Sequence, residues 1–164
     1  VMDCPTAEKL QAEVEEEQPS SLLVLTQNVW CHYPCSLLKQ EQHAMRGAGF
    51  EERLGLFADY VSVQGIDVLL CQELFLAKIC FHLSSHNFDM FTEAMKKAGL
   101  RYHSEPKQSM RAVFAGQNSG LVIFSKWPLL NCRSFDFEST SERLNSKGFV
   151  CADVLMANNR RVHL

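Results

Sequence analysis

The sequence predicts an α/β fold built around a sizeable sheet, and three observations carry that reading. Two short apolar runs of strand length, at Leu22–Thr26 and Ile66–Cys71, flank a segment whose apolar residues recur at helical spacing. A second helical segment follows, and the rest of the chain then becomes a series of strand-like runs. The composition agrees. Of 164 residues, 46% are hydrophobic and 21% charged, with 8 Gly and 5 Pro, which excludes wholesale disorder, collagen and low-complexity fibre. No run approaches the ~18 consecutive apolar residues of a membrane-spanning helix. No basic-then-apolar start marks a signal peptide, and no fixed-period repeat marks a solenoid.

Taken in order, residues 1–20 read as a mobile acidic leader. They hold six acids against Lys9, a charge of −5, and a helix over Ala7–Glu17 would have too little apolar surface to bury. The rest of the chain has 15 bases and 13 acids, or +2, and shows no basic stripe of the kind that binds nucleic acid. Residues 21–164 form the folded part. The first strand, Leu22–Thr26, ends at Gln27-Asn28-Val29-Trp30 and is followed by an irregular stretch, Cys31–Gly49. Phe50, Leu54, Phe57 and Val61 mark a helix that Gly65 closes. The second strand, Ile66–Cys71, runs into Gln72-Glu73. Phe88, Phe91, Met95 and Ala98 mark a second helix, closed by Gly99. Strands follow at Leu121–Phe124, Cys132–Phe137, Phe149–Leu155 and Arg161–Leu164. The last reads as a core strand that has just begun, and truncation is the expectation, an edge strand the alternative.

Two strand ends carry the chemistry. Asn28 and Glu73 occupy the same relative position on the two strands although 45 positions apart, and in open α/β sheets ligands collect beyond the carboxyl ends of strands. An amide oxygen and a carboxylate are hard donors that suit Mg²⁺ or Ca²⁺ rather than zinc. By spacing alone, a turn cap and a solvated strand-end charge remain the alternative. Cys31-His32-Tyr33-Pro34-Cys35 invites a zinc reading, but no second Cys/His pair stands at ligand spacing. His82 and His86 read as loop and cap residues, and the irregularly placed methionines as core filler. Seven scattered cysteines read as reduced thiols in a cytoplasmic setting.

Three blocks occur in order: Leu25-Thr26-Gln27-Asn28-Val29-Trp30, Asp67-Val68-Leu69-Leu70-Cys71-Gln72-Glu73-Leu74, and Asn118-Ser119-Gly120-Leu121-Val122-Ile123-Phe124-Ser125-Lys126-Trp127-Pro128-Leu129. Together they resemble the N-terminal half of the endonuclease/exonuclease/phosphatase superfamily of metal-dependent phosphoesterases. With Lys147-Gly148-Phe149, they look most like its neutral sphingomyelinase branch. The resemblance implies a four-layer α/β sandwich of the pancreatic-deoxyribonuclease kind, here incomplete. It implies that Asn28 and Glu73 ligate Mg²⁺ (or Mn²⁺ or Ca²⁺) beside a scissile phosphate, with Lys147 and Glu142 as a pair at the pocket rim or, alternatively, as surface charges. In this family the catalytic histidine follows the strand resembling Arg161–Leu164, and His163 is not a good substitute for it. The implied activity is phosphodiester hydrolysis on a sphingomyelin-like phospholipid, inactive in these residues alone. A nuclease, an inositol-phosphate phosphatase and a non-catalytic binding module are the alternatives. Leu74–Phe81 is either a peripheral membrane contact or an insertion packed on the sheet.

Overall fold

The structure is a computed structural model that describes residues 21–31, 49–79, 82–84, 86–106, 115–137, 147–156 and 159–164. The leader, the Cys35 end of the cysteine cluster and Glu142 lie outside the described residues.

The order of elements follows from alternating strand and helix signals. Strand β1 (Val24–Cys31) leads through helix α1 (Gly49–Val63) to β2 (Val68–Leu74), and the two strands pair in parallel from Val24↔Val68 to Asn28↔Gln72. A parallel pair requires such a crossover, so α1 starts at the carboxyl end of β1 and returns antiparallel to it. Two short strands, β3 (Ala77–Ile79) and β4 (His82–Ser84), precede α2 (His86–Lys97). Strands β5 (Tyr102–His103), β6 (Ala115–Gln117) and β7 (Val122–Ser125) come next, then β8 (Leu129–Asp136), β9 (Gly148–Leu155) and β10 (Arg161–His163). They form a first sheet in the order β1-β2-β7-β5, a second in the order β10-β9-β8, and a small third in the order β4-β3-β6.

Both helices end in the same way. Ile66 N–H donates to the Val61 carbonyl at 3.1 Å and Leu100 N–H to the Met95 carbonyl at 2.9 Å, with Gly65 and Gly99 at positive φ between. These are Schellman caps, and the residue after each glycine, Ile66 or Leu100, drops into the core beside the helix it terminates. Asp89 in the first turn of α2 and Lys96 and Lys97 in its last turn also suit the helix dipole.

The pleat sorts the first sheet into two faces. Leu69, Cys71, Val122 and Phe124 face the helices and pack with Leu54, Val61, Phe91 and Met95. Val68, Leu70 and Ile123 face the second sheet and pack with Ala152, Val154 and Met156. The described residues therefore form three layers: helices, first sheet, second sheet. The second helical layer of the expected four-layer sandwich does not occur among them. On the outer face of the second sheet, Phe135, Phe137 and Phe149 stay 43%, 53% and 47% exposed, and the rings of Phe135 and Phe149 stack at 4.6 Å.

The predicted elements all appear, with shifted boundaries. β1 runs on through Asn28 to Cys31, and β8 begins at Leu129, three residues before the expected start. Strands β3 to β6 were not expected. At two or three residues each, they have no periodicity to read, and they exist through the neighbours with which they pair. His82 accordingly lies in β4 and not in a loop, while His86 opens α2. Leu74 and Leu76 are buried in the helix-side core, so the start of the Leu74–Phe81 segment packs on the sheet. No helix among the described residues is long and apolar enough to cross a membrane.

Candidate metal centre

Because β1 and β2 are parallel neighbours, their carboxyl ends emerge together. Asn28 is paired with Gln72, and Glu73 is the next residue. The two candidate ligands thus arise one rung apart on strands separated by about 4.8 Å. Asn28 is exposed and Glu73 half-buried. Gln72 reaches across the same pair of strands, its Nε2 donating to Thr26 Oγ1 at 2.9 Å.

Glu73 interrupts the strand. Its φ is 61°, a left-handed conformation that costs a residue other than glycine about 1–3 kcal/mol. Cys71 and Leu74 are three residues apart yet face the same helix-side core, so the alternation slips by one residue at Glu73. The facing strand is irregular at the same level, between Asn28 and Cys31. Glu73 therefore stands at a paired break in two strands.

The third sequence block holds this break from behind. Gly120 accepts the Leu74 N–H at 2.9 Å and has φ +65°. A methyl group on Gly120 would meet the Phe75 ring at 2.8 Å and the Glu73 Cα at 3.0 Å, so the approach requires glycine. Asn118, 2% exposed, turns its side chain back on the same loop: Oδ1 accepts the N–H groups of Leu76 at 2.9 Å and Gly120 at 3.2 Å, and Asn118 N–H donates to the Leu76 carbonyl at 3.2 Å. Its Nδ2 is buried without a partner among the described residues, at a cost of about 1–3 kcal/mol.

The rest of the motif blocks fasten the fold. Asp67 accepts the Leu23 N–H at 2.8 Å through Oδ2 and Lys126 Nζ at 3.1 Å through Oδ1, and Lys126 also donates to the Gly65 carbonyl at 3.0 Å. One ion pair thereby ties together the start of β1, the start of β2 and the end of β7. Buried Ser125 accepts the Trp127 N–H at 3.0 Å and shapes the turn into β8. The glycine of Lys147-Gly148-Phe149 is explained by close packing: a Cβ at Gly148 would run into the Phe135 carbonyl oxygen. Lys147 itself is exposed at the foot of β9, and its expected rim partner Glu142 is outside the described residues.

The donors fit a hard cation in type but are few. Mg²⁺ is commonly held by one or two carboxylates and retains several waters, and here one carboxylate, Glu73, arises one rung from the Asn28 amide. No group of three or more His, Cys, Asp or Glu side chains suited to a metal occurs among the described residues. A cavity of about 150 Å³ opens beside Asn28, with exposed Gln27 and Arg53 and buried Leu54 and Phe91 in its wall.

The structure gives one histidine a carboxylate partner that the sequence did not reveal. His163 Nδ1 lies 2.7 Å from Asp153 Oδ1, and Asn131 donates to Asp153 Oδ2 at 2.6 Å. These side chains alternate with buried Ala152, Val154 and half-buried Val162, so they lie on the outer face of the second sheet. The bonds from His163 and then Asn131 hold the Asp153 carboxyl below its ordinary value of 3.8. A lowered carboxyl pKa adds stability above the ordinary value, and that stability is lost as pH falls through the lowered one. Asp153→Asn should therefore flatten the acid limb of the stability curve below about pH 4. Urea midpoints of the two proteins should differ at neutral pH and converge in acid; a constant gap would exclude this coupling.

Two packed sheets with helices on one outer face give a mixed α/β fold similar to that of the endonuclease/exonuclease/phosphatase proteins. Among solved structures, a β-hairpin deletion mutant of beta toxin from Staphylococcus aureus matches with 19% identity and a TM-score of 0.64, over 88% of this chain and 50% of that one. Sphingomyelinase C from Streptomyces griseocarneus matches with 21% identity and a TM-score of 0.63, over 88% and 48%. An endonuclease/exonuclease/phosphatase family protein from Leptotrichia buccalis matches with 13% identity and a TM-score of 0.54, over 87% and 52%. Another beta toxin structure contains bound magnesium ions. The chain spans about half the length of each of these proteins. Neither a protein-family model nor a curated protein sequence matches it.

Proposed function

We propose that these residues form the metal-holding half of a metal-dependent phosphoesterase, the whole protein cleaving phosphodiesters of the sphingomyelin type. The observation that carries this reading is the emergence of Asn28 and Glu73 on adjacent rungs of β1 and β2, with Glu73 in a left-handed conformation. Backbone strain of that kind persists where the surroundings over-determine it, and it concentrates at functional sites. The sphingomyelinase among the fold neighbours and the magnesium in a beta toxin structure support the choice of substrate class and cation.

In this reading Asn28 and Glu73 hold Mg²⁺, with Mn²⁺ or Ca²⁺ as substitutes. A divalent cation bound there would offset the charge that develops on a phosphoryl oxygen. The chain's own part is to present two oxygens from a rigid strand pair and to keep their spacing constant. Proton transfer needs a further group, and no histidine lines the cavity beside Asn28. Lys147 and Glu142 are proposed as a rim pair, and the fourth, helical layer as part of the complete fold. The +2 charge outside the leader favours a phospholipid head group over nucleic acid. A cytoplasmic location with peripheral contact at membranes accords with that substrate.

The test is an assay of the chain with Mg²⁺ and a chromogenic phosphodiester. No turnover above the blank is expected. Turnover abolished by Glu73→Ala would overturn the half-site reading, because the proton-transfer group would then lie within these residues.

A further inference from the structure

We infer that Asn118 is a positioning residue for Glu73, an assignment that rests on the proposed role of Glu73 as a metal ligand. A single amide oxygen accepts two backbone N–H groups, from Leu76 and Gly120, that belong to opposite sides of the break. Leu76 lies three residues after Glu73, just beyond the end of β2, and a Cβ on Gly120 would meet the Glu73 Cα at 3.0 Å. With the Asn118 N–H bonded to the Leu76 carbonyl, the amide clips both segments together at 2% exposure. Without the side-chain clip, the backbone bonds from Asn118 N–H to the Leu76 carbonyl and from Leu74 N–H to the Gly120 carbonyl remain, but the Leu76 and Gly120 N–H groups lose their shared acceptor and the strand is freer to relax towards regular pleating at Glu73. That relaxation shifts the Glu73 side chain relative to the sheet, because a slip of one residue moves a side chain to the other face.

The Asn118 Nδ2 is buried without a partner among the described residues, as are Thr92 Oγ1 and Trp127 Nε1, so the positioning role of Asn118 rests on its Oδ1 bonds. Serine and threonine hydroxyls are too short to take both N–H groups at once, and aspartate would accept both but bury a charge. Asparagine is retained because its reach and its single neutral acceptor set the geometry of the break.

The experiment compares Asn118→Ala, Asn118→Asp and Ser104→Ala in the full chain. Ser104 is a matched control: it is 1% exposed, and its Oγ accepts one buried backbone N–H, from Ile123, at 3.0 Å. Two quantities are read: Mn²⁺ affinity by electron paramagnetic resonance and amide hydrogen exchange at Leu74, Leu76 and Gly120. Asn118→Ala should weaken Mn²⁺ binding about 10-fold or more and speed exchange at all three amides, the scale expected for residues that orient a ligand. Asn118→Asp, which keeps the acceptor, should restore most of the protection and affinity. Ser104→Ala should lower the melting temperature while leaving Mn²⁺ affinity unchanged. Should Asn118→Ala fail to fold, Asn118→Ser carries the same comparison.

The assignment is overturned if exchange at the three amides matches the control. It is also overturned if exchange rises while Mn²⁺ affinity holds in a protein whose affinity Glu73→Gln abolishes, since Asn118 would then be structural only. If Glu73→Gln itself leaves Mn²⁺ binding intact, the ligand role of Glu73 fails first, and the positioning role falls with it.

Discussion

Replacing Glu73 with alanine should remove Mg²⁺ binding measured by isothermal titration calorimetry, weakening it by roughly 100-fold or more. Loss of a group that merely orients a ligand already costs 10–100-fold, so loss of the carboxylate itself should cost at least as much. Asn28→Ala should have the smaller effect of the two, because a neutral amide oxygen gives a cation less than a carboxylate does. The backbone at Glu73 supplies a further contrast. At φ 61°, alanine keeps the left-handed strain that glycine relieves, so Glu73→Gly should be more stable than Glu73→Ala by about 1 kcal/mol while binding the cation no better. A site selected for its ligand and not for its stability behaves in this way. Unchanged Mg²⁺ uptake in both variants would remove the metal centre from this part of the fold.

The second large effect is expected far from that centre. Phe124 on β7 is fully buried, with its ring 5.5 Å from Phe91 on α2 and 5.7 Å from His103 on β5. Phe57 on α1 joins through Phe91 at 6.0 Å, so one aromatic chain links both helices to the first sheet. Phe124→Ala should destabilise the protein by about 3–5 kcal/mol, since it removes a ring and leaves a cavity that rigid strands cannot fill. That is a large part of the 5–15 kcal/mol that usually holds a domain together. Phe135→Ala, on a ring that is 43% exposed, should cost below about 1 kcal/mol. Equal shifts in the urea midpoints of the two variants would contradict the assignment of core and outer face.

Much of the architecture could be read from local patterns. The cap glycines at 65 and 99 predicted both helix ends, because the left-handed residue and the apolar residue after it are a local device. The run of apolar residues in β2 predicted a strand buried on both faces, and the structure divides it between two cores. Asn28 and Glu73 could be proposed as partners because position at a strand end is a topological property, and parallel pairing brought their strands together. Asn118 was legible only as part of a motif. Its function depends on Leu76, 42 residues away, and no local signal specifies that contact. The Asp153–His163 pair was hidden for the same reason: His163 seemed a plain strand residue until cross-strand register set it opposite Asp153.

By itself, then, the sequence determined the longer strands and both helices, where the helices end, and which two oxygen donors lie towards the carboxyl ends of β1 and β2. These depend on periodicity and on backbone preferences that span a few residues. The tertiary structure alone decided that the pleat breaks at Glu73, that Asn118 and Gly120 brace the break, and that Lys126 pairs with Asp67. Each of these joins residues more than forty positions apart, and such contacts are selected by packing and by the need to satisfy buried polar groups once the sheets have closed.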